Sequence, residues 1–325
     1  MVELVRIEHT VKERANTFVV NWQLGNKCNF SCSYCPSGLH DGSIAWTTYD
    51  CIERFCVYLM GYCSGLARSL FVTLSGGEPT AHPDFLRVAS LLTEGGAKLG
   101  IISNGSRPIS WWREVRHRLA SVSLTYHPEF TKIDHFISVA QVISEVTRTG
   151  INIAVHPDRF HQCLDAAAQI SASCTDVTMQ LKPLLVDFGA SLYPYSPEQL
   201  KTLANTHFEI PKTRPTGGVK GRLETSQWGG PMRKVFSDGS SQTCSAAQLL
   251  IEGINQWSGW SCAIGLELLC VDARGDIYRG KCKQGGRVGH ISDSSWTLPT
   301  EPVVCCAPSC HCLADIMTTK TRLSI

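Results

Sequence analysis

Cys28, Cys32 and Cys35 lie within Lys27-Cys28-Asn29-Phe30-Ser31-Cys32-Ser33-Tyr34-Cys35-Pro36, which sets three thiols in C-x3-C-x2-C spacing. Three thiolates so spaced can bind three irons of a four-iron cluster and leave the fourth without a protein ligand. A cluster that only carries electrons or staples a fold is normally closed by four ligands, so an open iron is a place for chemistry. A zinc site is the plainer alternative for the same thiols.

The elements around these residues must hold them over a cavity. Residues 18–24 (FVVNWQL) read as a buried strand, and the cysteine loop begins at its carboxyl end, where α/β proteins place their active sites. A second strand, 69–74, runs into Ser75-Gly76-Gly77-Glu78-Pro79. Paired glycines let the backbone approach a ligand closely, and the adjacent carboxylate can meet an ammonium group. An amphipathic stretch at 84–92 and a strand at 98–102, ending in Ser103-Asn104-Gly105, come next. Helical stretches at 111–118, 132–149 (capped by Gly150) and 161–171 alternate with strands at 120–125, 151–155 and 176–181. Strands alternating with helices predict a parallel α/β sheet with right-handed crossovers. Asn104, Ser123, His127, His156, Gln180 and Lys182 would then ring one mouth beside the cysteine loop. His127 and His156 each precede proline, which fits loop residues bonded to backbone better than acid-base catalysts.

The cysteine spacing, with Tyr34 before the last thiol, resembles the signature of the radical S-adenosylmethionine (SAM) enzymes, and Gly76-Gly77-Glu78-Pro79 resembles their GGEP motif. The resemblance implies a partial (β/α)6 TIM-like barrel over residues 1–205. It further implies a [4Fe-4S] cluster on Cys28, Cys32 and Cys35 that binds SAM, with Gly76, Gly77 and Glu78 at the SAM amino group. Asn104 and Ser123 are the implied contacts to its ribose or carboxylate, and Tyr34 is expected near the adenine. A reduced cluster would cleave SAM to a 5′-deoxyadenosyl radical that takes a hydrogen atom from substrate, with flavodoxin or ferredoxin as electron donor.

Residues 206–243 carry Pro, Gly, Ser and charge without a sustained apolar period, which predicts a linker or substrate-covering segment. Its cations include Lys212, Arg214, Lys220, Arg222, Arg233 and Lys234. Residues 244–325 hold a second cysteine group. Cys262 precedes an alternating strand at 266–271, the turn Asp272-Ala273-Arg274-Gly275-Asp276, residues 277–279 and Cys282, so a hairpin should bring those two thiols together. Cys305, Cys306, Cys310 and Cys312 follow among turn residues, a metal-binding signal. The arrangement is similar to the twitch and SPASM extensions of radical SAM enzymes, which implies a small cysteine-rich β-hairpin/α domain. One auxiliary [4Fe-4S] cluster on Cys262, Cys282, Cys305 and either Cys310 or Cys312 suits the number of thiols, with structural zinc the competing reading.

Cys56 and Cys63 lie seven apart on a probable helix that also carries Cys51, the pattern of packing thiols. Some radical SAM epimerases use a free cysteine to return hydrogen, and Cys244 is the candidate here. The balance of 30 basic and 28 acidic residues, +2, is too even for a general nucleic-acid surface. No apolar run suits a membrane span, and the polar start MVELVRIEHT is no export signal, so reduced thiolates in the cytoplasm are expected. With about 15 residues before the first expected strand, no amino-terminal peptide-recognition domain is expected. A small molecule such as an amino sugar, or a short peptide, is the expected substrate, with dehydrogenation, epimerisation or cross-linking as the outcome. A ribosomal-peptide maturase and a non-catalytic metal-bound or redox-sensing protein are the alternatives.

Overall fold

The computed structural model describes residues 2–188, 191–205 and 231–323. From the amino end, β1 (Leu4–His9), α1 (Lys12–Ala15) and β2 (Thr17–Gln23) precede the cysteine loop, and α2 (Tyr49–Gly65) returns the chain to β3 (Ser69–Ser75). The alternation continues with α3 (Phe85–Glu94), β4 (Lys98–Ser103), α4 (Ile109–Val115), β5 (Ser121–Tyr126), α5 (Ile133–Ser144), β6 (Arg148–Val155), α6 (Phe160–Ser173), β7 (Val177–Pro183) and α7 (Pro197–Asn205). After residue 230 come β8 (Met232–Phe236), β9 (Ser241–Cys244), α8 (Ala246–Ile251), β10 (Trp260–Cys262), β11 (Leu268–Val271) and β12 (Asp276–Tyr278). β13 (Arg287–His290), β14 (Val303–Val304), α9 (Leu313–Ile316) and β15 (Lys320–Arg322) complete the order.

Strands β2 to β7 pair in sequence order and in parallel, which requires a crossover between each pair. Trp22, Val72, Leu74, Ile101, Leu124 and Ile153 occupy one face of these strands and share a core with Phe55, Leu59, Val88, Phe136 and Ile170 from the crossover helices. Strict alternation turns Asn21, Thr73, Ser123, Asn152, Gln180 and Lys182 to the opposite, inner face. Among the described residues one sheet runs β13-β12-β11-β2-β3-β4-β5-β6-β7 and does not close on itself, so the wall is a partial barrel, as the resemblance implies.

Several elements depart from the sequence reading. The helix expected to reach Thr149 ends at Ser144, and Gly150 sits inside β6 opposite Ser123 rather than capping a helix. Thr and Gly are poor helix formers, and a strand there gains partners on both sides. β1, absent from the expected elements, pairs with β8 and β15, and its fully buried Ile7 anchors it. Residues 232–244 form the antiparallel pair β8 and β9, where an irregular segment was expected. Gly239, at φ +83°, and the Asp238 carboxylate, which accepts the Ser240 N–H at 2.9 Å, build its turn. Residues 206–230 of that segment, with Lys212, Arg214, Lys220 and Arg222, lie outside the described residues.

Pairing also ties distant parts of the chain together. β11 joins β2 in parallel, so the β11 to β13 hairpins extend the barrel's sheet. The second sheet runs β14-β10-β15-β1-β8-β9 and so contains the amino-terminal strand.

Cys244, the expected hydrogen donor, ends β9 and is buried with Ile7, Met232, Leu249 and Trp257. Cys32 and Tyr34 pack in a different cluster, with Ala154 and Leu184. The position suits a small apolar side chain rather than a group presented to the barrel mouth. Replacing Cys244 with Ala should therefore lower stability, on the order of 1 kcal/mol in denaturant titration, and leave the reaction product unaltered. A redirected product would return Cys244 to the hydrogen-donor role.

Candidate active site

The cysteine loop is pinned at its base by Asn26, which is almost completely buried. Its amide nitrogen donates to Gly38 O at 3.0 Å, Asp41 Oδ1 at 2.7 Å and Ser43 Oγ at 3.0 Å, while its oxygen accepts the Ile44 N–H at 3.0 Å. The turn after β3 packs directly on this loop. A Cβ at Gly76 would lie 2.6 Å from Gly25 O, and one at Gly77 would overlap the Lys27 carbonyl. Both glycines also have positive φ, +85° and +49°. They are needed for contact between two protein backbones, and the Glu78 N–H seals it by donating to Lys27 O at 2.9 Å.

The Glu78 side chain is buried and meets donors from its own turn and from the end of β4. Oε1 accepts from Thr80 N at 3.1 Å, Thr80 Oγ1 at 2.7 Å and Ser103 Oγ at 2.8 Å, and Oε2 accepts from Asn104 N at 2.8 Å. Burial pushes its pKa above the usual carboxylate range, although these donors pull it back. Asn104, so fixed, donates from Nδ2 to Asn29 Oδ1 at 2.9 Å and stands 3.9 Å from Cys28 Sγ. The carboxyl ends of β2, β3 and β4 thus bring Cys28, the Gly76-Gly77-Glu78 turn and Asn104 together.

Three comparisons bear on this arrangement. No protein-family model matches the chain. An S-adenosylmethionine-dependent nucleotide dehydratase from Selenomonas ruminantium is 31% identical over 91 residues, covering 27% of this chain and 30% of that protein. The chain thus matches under a third of that relative's length. Among solved structures, anSMEcpe with bound AdoMet (SAM) superposes with a TM-score of 0.54 at 15% identity, covering 85% of this chain and 78% of its own. Streptococcus suis SuiB bound to S-adenosylmethionine superposes with a TM-score of 0.50 at 14% identity, covering 86% and 64%. Both neighbours are radical SAM enzymes. The chain has the radical SAM fold.

Within that fold, Cys32 is buried and Cys28 and Cys35 are half-buried. Burial raises all three thiols, Cys32 to about 12. The aromatic step of the loop, Tyr34, is wedged against His127 and His156, at ring-centroid distances of 6.1 and 6.0 Å. Its hydroxyl lies 2.7 Å from His127 Nδ1, which is also 3.5 Å from Cys32 Sγ. Burial lowers the His127 pKa to about 4, which favours the neutral ring. His156 behaves as the sequence predicts, accepting the Asp158 N–H at 3.2 Å. Ser123, on the inner face, accepts from Asn152 Nδ2 at 2.8 Å.

The second cysteine group converges in the radical SAM fold's carboxyl-terminal part. Cys262, Cys282, Cys305 and Cys310 line one cavity with Trp257, Asp315 and Lys320. The Asp315 carboxylate shapes the Cys282 loop by accepting Lys281 N at 3.0 Å and Cys282 N at 2.7 Å. Asn255 holds Cys310 through a pair of bonds at 2.8 and 3.0 Å, and Cys305 N donates to Trp260 O at 2.9 Å. Cys312 caps α9 and is not part of the cavity wall, and Cys306 is exposed. Among the described residues no three His, Cys, Asp or Glu side chains converge on a single-ion site.

Sequence reading missed Asn26, Glu129 and Lys320. Glu129 accepts from both the N–H (2.8 Å) and the hydroxyl of Ser33, anchoring the loop from beyond β5. No motif marks it, because its partner is 96 residues away. Replacing Glu78 with Gln should put an NH2 group among four donors and destabilise the protein by about 1–3 kcal/mol in denaturant titration, with SAM affinity falling as a consequence. Unchanged stability with lost SAM affinity would instead place Glu78 in direct contact with SAM.

Proposed function

We propose that this chain is a radical SAM enzyme whose substrate is a small molecule bearing an anionic group. The observation that carries the reading is the packing of the Cys28, Cys32 and Cys35 loop onto the Gly76-Gly77-Glu78 turn and Asn104 at the carboxyl ends of β2, β3 and β4. The donor set fits a four-iron cluster with one open iron, since three thiols share a short loop. When bound, that cluster supplies the electron that cleaves SAM and so generates a 5′-deoxyadenosyl radical.

The chain's own residues prepare the site. Phe30 N, at 3.4 Å, and Asn104 Nδ2, at 3.9 Å, aim donors at Cys28 Sγ and favour its thiolate. The Gly76-Gly77-Glu78 turn, which offers backbone carbonyls and a carboxylate beside the cysteine loop, would receive the SAM ammonium. Ala154 and Leu184 pack on Cys32 and Tyr34, which keeps water from that side of the loop. The four thiols around the second cavity suit an auxiliary [4Fe-4S] cluster, which would take an electron from a substrate radical and give net oxidation.

The inner face supports the substrate class. Ser123, Asn152 and Gln180 form a neutral polar row, with Asn152 beside Gln180 in register. One layer toward the mouth, Lys182 lies beside Ala154, which touches the cysteine loop. Lys182 is exposed to the barrel interior, and the enclosing wall lowers its pKa by desolvation. A cation among neutral polar groups suits a phosphate or carboxylate better than an amino sugar, and the relative named as a nucleotide dehydratase acts on such an anion.

Anaerobically reconstituted protein given SAM and a strong reductant should form 5′-deoxyadenosine, and the variant with Cys28, Cys32 and Cys35 all changed to Ala should form none. Absence of product from iron-loaded wild-type protein would favour a non-catalytic metal-bound protein. A small phosphorylated or carboxylated compound, nucleotides included, should accelerate that reaction, and Lys182→Met should remove the acceleration while sparing the basal rate. Acceleration that survives the substitution, or fails across a panel of nucleotides, sugar phosphates and carboxylates, would overturn the anionic-substrate reading.

A further inference from the structure

We propose that Lys320 is a fixed positive charge that raises the reduction potential of the cluster held by Cys262, Cys282, Cys305 and Cys310. The inference rests on reading those thiols as one auxiliary four-iron site. Lys320 begins β15 with only 2% of its surface exposed, yet it stands on the wall of the cavity the four thiols line. Its Nζ lies 2.6 Å from Asp315 O, 3.0 Å from Ile316 O, 2.9 Å from Thr318 O and 3.1 Å from Thr318 Oγ1. Three of these acceptors are carbonyls that can only accept, one for each hydrogen of an ammonium. The same Nζ sits 4.5 Å from the centroid of the Trp257 ring, another wall of the cavity.

Among the described residues no carboxylate lies within ion-pair distance of Lys320, in contrast to Lys234, which pairs with Glu252 at 2.9 Å. A buried cation without a counterion is costly unless something anionic faces it. The four thiols supply that anion once they ligate iron as thiolates. Asp315 is the opposing charge on the wall, but its carboxylate is occupied by the N–H groups of Lys281 and Cys282. On reduction the cluster gains one electron and no proton is required, so a nearby positive charge favours the reduced form. Closing the turn from Asp315 to Thr318 would need only hydrogen bonds; it would not need a charge beside the thiols.

The test uses the full chain with Cys28, Cys32 and Cys35 changed to Ala, reconstituted with iron and sulfide so that only the carboxyl-terminal site loads. Iron content is measured, and the midpoint potential is read by electron paramagnetic resonance during titration with dithionite and mediators. Lys320→Gln keeps N–H donors for the carbonyls but loses the charge, and it should favour oxidation at least tenfold, a fall of about 59 mV for one electron. Lys320→Arg should stay near the parent. Asp315→Asn, which removes the opposite charge from the same wall, should move the midpoint upward and serves if the Lys320 variants do not fold. Equal midpoints for the parent and every folded, iron-loaded variant would overturn the role of Lys320. A parent without iron would overturn the auxiliary-cluster reading beneath it.

Discussion

A carboxylate that water does not reach must find its hydrogen bonds inside the protein, and Glu78 finds them on its own turn and at the end of the neighbouring strand. Its bonds to Ser103 and Asn104 tie the end of β3 to the end of β4, and its N–H ties the same turn to Lys27. The inner parts of the site rest on this knot. Asn104 reaches Cys28 only because its backbone N–H is held by Glu78. The glycines beside Glu78 fit against the cysteine loop only because they lack Cβ atoms. An unsatisfied buried acceptor costs about 1–3 kcal/mol, so the geometry of the loop and the stability of the fold are maintained by the same bonds.

The frame outside the knot is built by strand pairing across the whole chain. β11 continues the parallel sheet beyond β2, while β1 crosses into the other sheet between β15 and β8. Cys282 follows a strand of the barrel's sheet, whereas Cys262 ends a strand of the second, so the cavity they share lies where the two sheets meet. Movement of one sheet against the other would change the spacing of those thiols. Asp315 and Asn255 restrain that spacing by binding backbone on either side of the cavity. Among the described residues no helix is long and apolar enough to cross a membrane.

Charge is distributed sparingly in the interior. The inner face near the mouth presents neutral hydroxyls and amides beside Lys182, and the second cavity presents Lys320 and Asp315. Each lies where a charge is expensive to desolvate, and each stands near a group of thiols. Electrostatics in such low-dielectric places acts more strongly than on the surface, where Arg233 and Glu8 or Arg322 and Glu3 form exposed pairs worth little.

The alternation of strands and helices, the C-x3-C-x2-C spacing and the glycine turn were legible in the sequence because each is a local pattern. The apolar runs at residues 18–24 and 69–74 read as strands from their own composition, and nothing distant is needed to see them. β1 and the β8 and β9 pair escaped because they are short and half-polar and are stabilised by partners far along the chain. The burial of Glu78, the choice of Cys310 over Cys312 as a wall of the cavity, and the packing of Cys244 into a core were decided only by tertiary structure. So was the placement of Lys320 beside the thiols. Sequence determines which chemical groups are present and the local period that aims them. Which of them meet depends on close packing between segments distant along the chain, and local spacing carries no record of that.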